Sequence, residues 1–273
     1  MRSLLVIIFL CFTGAAFSQY YYNDIITTKQ TNKQYKLLKD NNIQQVTAKS
    51  FEADGTESDG FSLTQQLSQS STIITTNSKF PSTGETITTS WYNNNKIKKS
   101  IDSTDKIKST TLYTYNNNDL LSISTITEDA FMNNASTELH QWIYDNNVPV
   151  KMLLIKNSTD TTFINFKKDE HGNVAEERWV KKNATIETYY YYYDEQQNIT
   201  DIVRFNTRAR RLLPDFTFEF DNKGAITQMI QVPQGSADYL IWQYIYNSNG
   251  LKQAEHCYSK TKQPIGRIEY TYK

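Results

Sequence analysis

In seven places between Trp91 and Tyr272 one short signature returns: a residue that is aromatic in six of the copies, then Asp or Asn, a short polar turn, and an aliphatic residue opening an alternating stretch. The copies are Tyr92-Asn93 with Ile97, Tyr115-Asn116 with Leu120, Tyr144-Asp145 with Val148, Lys168-Asp169 with Gly172 and Val174, Tyr193-Asp194 with Ile199, Phe220-Asp221 with Gly224 and Ile226, and Tyr246-Asn247 with Gly250 and Leu251. Their Asp or Asn residues stand 23 to 29 positions apart. A period of that size marks a structural repeat rather than a catalytic motif. It has room for two strands of about 9 residues and two tight connections.

The copy around Asp221 displays the local physics. Phe216, Phe218 and Phe220 alternate with Thr217 and Glu219, and Ile226, Gln228, Ile230 and Val232 alternate with Thr227, Met229 and Gln231. Period two predicts a strand on each side. An Asp carboxylate accepts from backbone N–H groups two residues on, and Gly takes a positive φ without steric penalty, so Asp221-Asn222-Lys223-Gly224 closes a hairpin. Where Gly is missing, Asn118, Asn147 and Asn198 are its substitutes. Sequential hairpins give an antiparallel meander.

Residues 24–41 are expected to form a helical cap, and 43–90 divergent early strands ahead of the repeats at 91–273. Within that early region Gln44 to Phe51, Ile73 to Thr76 and Thr86 to Trp91 read as strands around a loop at residues 54–60. The fold class expected is all-β, a meander of about seven hairpin repeats in a curled sheet with a short N-terminal helix, as one domain over 19–273. Seven copies imply about 14 strands, too many for a flat open sheet, so the sheet should bend into a trough, partial barrel or two-layered stack.

Residues 1–18 read as a signal peptide. Arg2 precedes the apolar run Leu4 to Phe12, and Ala16-Phe17-Ser18 offers the small residues that signal peptidase needs, which places cleavage between Ser18 and Gln19. Bulky Ile8-Phe9-Leu10 ahead of Cys11 argue against lipidation there. No later stretch is a transmembrane segment by length and apolarity. With 29 basic and 29 acidic residues the chain lacks the concentrated positive charge that nucleic acid demands. Cys257 alone remains after processing and cannot form an internal disulfide.

The repeats resemble the YD repeats of Rhs-type bacterial proteins, whose core is Tyr-Asp, two variable residues, Gly and an aliphatic. The resemblance covers roughly residues 91 to 273, and Phe220 to Gly224, Tyr246 to Gly250 and Asp169 to Gly172 keep the glycine. It implies a non-catalytic β scaffold of a class associated with bacterial surfaces and carbohydrate binding. The exported format, the Gln19 start and the Asn/Lys/Ile/Tyr-rich composition resemble a Bacteroidetes protein.

No residues assemble a catalytic motif. His256 and Cys257 are strand neighbours and face opposite ways. Asp169-Glu170-His171-Gly172 lies in a turn, and Asp54, Glu57 and Asp59 miss the spacing of a calcium loop, so neither is expected to hold a metal. Arg204, Arg208, Arg210 and Arg211 read as a solvated loop end. The sequons at Asn134, Asn157, Asn183 and Asn198 matter only in a eukaryotic secretory pathway. The aromatic segments carry more. Tyr189, Tyr191 and Tyr193 share one face of their strand, as do Trp242, Tyr244 and Tyr246. Each set either packs a core or offers rings to a glycan or another envelope protein.

These readings converge on an exported, non-enzymatic binding or structural module of the bacterial cell envelope that needs no cofactor. The alternatives are a carrier of an apolar ligand in a curled-sheet groove and a glycan-active enzyme. A membrane barrel is disfavoured by Lys98-Lys99, Glu176-Glu177 and Arg210-Arg211 in or beside strands.

Overall fold

The structure is a computed structural model that describes residues 19–206, 210–233, 236 and 238–273. The cleavage site assigned to Ser18 and the Arg208 of the basic loop lie outside those residues. A helical segment comes first, one stretch of π-helix over Tyr21–Ile26 running into α1 (Thr27–Asp40). Among the described residues eighteen strands follow in a single antiparallel sheet. The first six are β1 (Gln45–Glu52), β2 (Ser62–Leu67), β3 (Ile73–Phe80), β4 (Gly84–Asn93), β5 (Lys96–Ser103) and β6 (Ile107–Asn116). The next six are β7 (Asp119–Asp129), β8 (Asn134–Asp145), β9 (Val148–Lys156), β10 (Asp160–Lys168), β11 (Val174–Lys181) and β12 (Ala184–Tyr193). The last six are β13 (Ile199–Asn206), β14 (Arg211–Phe220), β15 (Ile226–Gln231), β16 (Leu240–Tyr246), β17 (Lys252–Ser259) and β18 (Pro264–Tyr272).

Every strand pairs with its sequence neighbours, and β1 also pairs with β18, Val46 opposite Tyr272 and Glu52 opposite Gly266. The sheet is therefore a closed barrel, which corrects the open curled sheet of about seven hairpins expected from the repeat. The reason is physical: an open sheet leaves two rows of unpaired backbone groups, and closure removes both. Gly266 lets the strands meet, because a Cβ there would stand 2.7 Å from the carbonyl oxygen of Phe51.

The turns follow two chemistries. At Asp169, Asp221 and Asn247 the side-chain oxygen accepts from the N–H groups two and four residues on, at 2.8 to 3.0 Å, and the following Gly172, Gly224 and Gly250 take positive φ. Asp194 does the same for Asn198, with Gln197 rather than Asn198 in the left-handed position. Earlier copies turn on two consecutive positive-φ residues, Asn94-Asn95 and Asn146-Asn147, the geometry that matches strand twist. Asn117 rather than Asn118 takes that conformation in the remaining copy.

All seven signatures carry a register shift immediately before their first residue, as at Thr114/Tyr115, Ile143/Tyr144, Tyr192/Tyr193 and Ile245/Tyr246. Such a bulge re-aims the next side chain. In consequence Tyr144, Tyr193 and Tyr246 donate to the carbonyls of Leu120, Val174 and Ile226, residues that open the alternating stretch of a preceding copy. The tyrosine hydroxyl of one signature thus meets the backbone of a preceding copy, which ties hairpin to hairpin.

An 18-stranded barrel without filling encloses an aqueous channel. Here the N-terminal segment enters the interior over residues 19–28, and α1 turns Tyr35 and Leu38 toward the wall while its lysines stay exposed. Tyr20 stacks on Trp179, Tyr21 meets Tyr191 edge-on, Tyr22 stacks on Phe218, and Tyr35 lies against Tyr92 with ring centroids 3.9 Å apart. Those partners come from β11, β12, β14 and β4, so the segment touches widely separated parts of the ring. The wall's inward residues are accordingly apolar and aromatic, among them Trp142, Met152, Ile164, Ile202, Met229 and Trp242. The outward residues are mixed. Lys99 lies over Trp91, Lys151 over Phe163 and Arg267 over Phe51, while Glu176 binds Lys167 and Arg178.

Candidate functional site

The polar chemistry of the interior is concentrated where the N-terminal segment enters. On β11 the bulge at Lys167/Lys168 and the pairing with β10 place Glu177 inward opposite Phe166, while Glu176 faces out. Glu177 is fully buried. Its carboxylate accepts from the backbone N–H of Tyr20 at 2.9 Å and of Tyr21 at 3.0 Å, from Trp179 Nε1 at 2.7 Å and from Tyr191 Oη at 2.6 Å. Burial pushes its pKa up to about 7, against the pull of those four donors.

Beside it Asp24, buried on the helical segment, reaches β8. His140 Nδ1 stands 2.7 Å from Asp24 Oδ2, and His140 Nε2 stands 2.8 Å from Glu138 Oε1. Trp142 Nε1 adds a bond to Asp24 at 3.1 Å. Carboxylates on both ring nitrogens require both to carry protons, so His140 is an imidazolium. Burial alone would lower its pKa, but Asp24 and Glu138 outweigh that and raise it to about 10. The hydrogen bond from His140, helped by Lys156, holds Glu138 down at about 2 despite burial. A third contact closes the group: Gln19 Nε2 and Arg204 Nε donate to Asp215 at 2.8 and 2.9 Å.

This arrangement grips a peptide segment by its backbone and side chains; it has no nucleophile beside a base. His140 is locked between two acids. Cys257 is buried, and desolvation by burial, aided by Glu255, pushes its thiol up to about 12. His171 is exposed at its turn beside Glu170, and His256 faces outward near Tyr258. Among the described residues no group of three or more His, Cys, Asp or Glu could hold a metal.

The six aromatics singled out in the sequence all face inward. Tyr189, Tyr191, Trp242 and Tyr244 are buried, and Tyr193 and Tyr246 are half-buried with hydroxyls on backbone carbonyls. Tyr191 and Tyr189 are covered by the N-terminal segment and its Trp179 neighbour. Arg204, read as part of a solvated loop end, is instead an inward ion-pair partner of Asp215. Within the pairs Glu176-Glu177 and Lys98-Lys99 one member points in: Glu177 into its socket, Lys98 over the Tyr115 ring. Asp24, His140, Glu177 and Asp215 went unnoticed in the sequence as site residues. The available signal was Glu177, a charge at an inward position between Val174 and Trp179, but the bulge decides which glutamate turns in.

On the outside, the alternation of β12 leaves Tyr190 and Tyr192 on the wall, Tyr192 about half exposed at 49%. They border a recess of about 680 Å³ whose polar rim includes Asp169, His171, Asp194 and Gln197 from two neighbouring turns.

Fold and site together define a closed, internally filled β-barrel with a buried seat for its own N-terminal segment. No protein family and no curated protein matches the sequence. Among solved structures, the chain is similar to a porin-like protein from Bacteroides uniformis, at 12% identity and a TM-score of 0.41, covering 85% of this chain and 98% of the other. A porin-like protein from Bacteroides vulgatus gives 11% and 0.28 over 85% and 98% of the two chains. The Tc holotoxin pore of Photorhabdus luminescens gives 12% and 0.32, over 78% of this chain and 15% of the other. Superpositions this loose carry no argument about activity or descent.

Proposed function

We propose that this chain is an exported, non-enzymatic β-barrel of the bacterial cell envelope, cleaved between Ser18 and Gln19, that seals its interior with its own N-terminal segment and binds saccharide on its outer wall. The observation that carries the binding role is the outward pair Tyr190 and Tyr192 beside acidic and amide side chains. Flat phenol rings stack on the apolar faces of sugars, and carboxylates and amides accept and donate to their hydroxyls. Charges at Lys99, Lys151, Glu176, Arg178 and Arg267 lie on the outward face of their strands, where a lipid-spanning wall keeps an apolar band. No helix among the described residues is long and apolar enough to cross a membrane. A carrier role would need interior space into which Tyr20, Tyr21, Tyr22 and Ile25 pack.

The test is a glycan array followed by calorimetry on the best-binding oligosaccharide. Tyr192→Ala and Tyr190→Ala should each weaken binding by about tenfold, or ~1.4 kcal/mol, with the melting temperature nearly unchanged. Binding that is absent from the array, or indifferent to both substitutions, would contradict the saccharide role.

A further inference from the structure

Glu177 presents an imbalance. All four groups that bond to it are neutral, and among the described residues no Lys, Arg or His forms an ion pair with it. A fully buried carboxylate without a cation is costly. Close by, Arg204 faces two further carboxylates, Asp215 at 2.9 Å and Glu187 at 4.0 Å. Two acids thus share one guanidinium beside the N-terminal segment, and Glu177 has none.

The residue at that end is Gln19, only 1% exposed. Its side-chain Oε1 is buried and without a donor. Covalent geometry keeps its backbone nitrogen within ~4 Å of the Tyr20 nitrogen, which itself bonds to Glu177 Oε1. That nitrogen therefore lies within about 7 Å of the unpaired Glu177 carboxylate, on a residue whose side chain reaches Asp215 and keeps a buried acceptor without a donor.

We infer that the interior contains a receptor for a free amino terminus at Gln19, with Glu177, Glu187 and Asp215 supplying the countercharge for its α-ammonium and Gln19 Oε1 an acceptor for it. This rests on the export reading. Hydrolysis of the Ser18–Gln19 peptide bond by a signal peptidase uses one water, leaving a carboxylate on Ser18 and an amine on Gln19 that takes up a proton. A neutral amide becomes a cation close to Glu177, a buried carboxylate that has no cationic partner among the described residues. Processing and completion of the core are thereby coupled: the uncut chain has the acids without their partner.

Intact mass of the exported protein reads the first residue directly and reveals whether the terminal Gln has closed to a lactam with loss of ammonia, which would abolish the charge. The inference expects a start at Gln19 with the amine free. Urea midpoints at neutral pH then compare a chain starting at Gln19 with one carrying Gly-Ser ahead of it. The extension should lower the midpoint by ~0.5 M or more, and Glu177→Gln should remove most of that difference. If Glu177→Gln does not fold, Glu187→Gln, a partly exposed position, should reduce it in the same sense. A start at another residue overturns the export reading. A Gln19 start with a lactam, or a penalty for the extension that is absent or that survives neutralising the acids, overturns the receptor and leaves export standing.

Discussion

Tyr193 and Tyr246 each tie one hairpin to a preceding one through a single hydroxyl, on the carbonyls of Val174 and Ile226. Replacing either by Phe keeps the ring and leaves a half-buried carbonyl short of a donor, so each should cost about 1 kcal/mol in urea unfolding. A larger loss would mean that the ring, not the bond, is the link between copies. His140 makes a pH-dependent claim. Its folded pKa of about 10 lies above the ordinary value of 6.5, so its contribution is full below pH 6.5 and is lost as pH rises through about 10. Glu138 has the opposite sign: held at about 2 from 4.5, it contributes above pH 4.5, and that contribution is lost as pH falls through about 2. Unfolding free energy followed from neutral to alkaline pH should decline less steeply in His140→Gln than in the natural chain. Equal slopes would place no charge on His140.

At the scale of elements, the hairpins were legible because their information is local. Asp with Gly three residues on, as at Asp221 and Gly224, dictates a turn whatever the rest of the chain does. The Gly-less turns were harder, since several adjacent residues tolerate a left-handed backbone; hence Asn117 and Gln197 occupy positions expected for Asn118 and Asn198. Strand β2 at Ser62–Leu67 escaped notice because Ser-Leu-Thr-Gln-Gln-Leu has two apolar residues and no clear alternation. The N-terminal helix expected as a cap over 24–41 is present; the helical segment begins at Tyr21, and α1 packs Tyr35 and Leu38 inward while Lys29, Lys33, Lys36 and Lys39 stay exposed. Its polar residues, such as Asp24 and Asn32, find partners on the wall, which no periodicity reveals. Leu38 is 1% exposed in the cluster with Val46, Leu67 and Leu251, while Lys36 points to solvent. Leu38→Ala should therefore destabilise by about 3 kcal/mol and Lys36→Ala by less than about 0.5 kcal/mol. Equal small effects would show that α1 does not fill the barrel.

The whole molecule poses the question of what an 18-stranded ring encloses. Closure joins β1 to β18 across more than 200 residues of sequence, a pairing that no local pattern encodes. Filling depends on a segment whose aromatic run, Tyr20-Tyr21-Tyr22, reads locally like a strand but docks as a helix because Trp179, Tyr191 and Phe218 stand ready for its rings. The outward Tyr190 and Tyr192 complete the division: rings of one parity build the core, and rings of the other parity stand on the outer wall. Backbone hydrogen exchange resolved by peptide tests both closure and filling at once. If the barrel is closed around its own N-terminal segment, the amides of residues 20–38, 45–52 and 264–272 exchange as slowly as those of the β8 to β12 strands. Rapid exchange along 45–52 and 264–272 would mean an open sheet with free edges, and rapid exchange along 20–38 would mean a segment that does not occupy the interior.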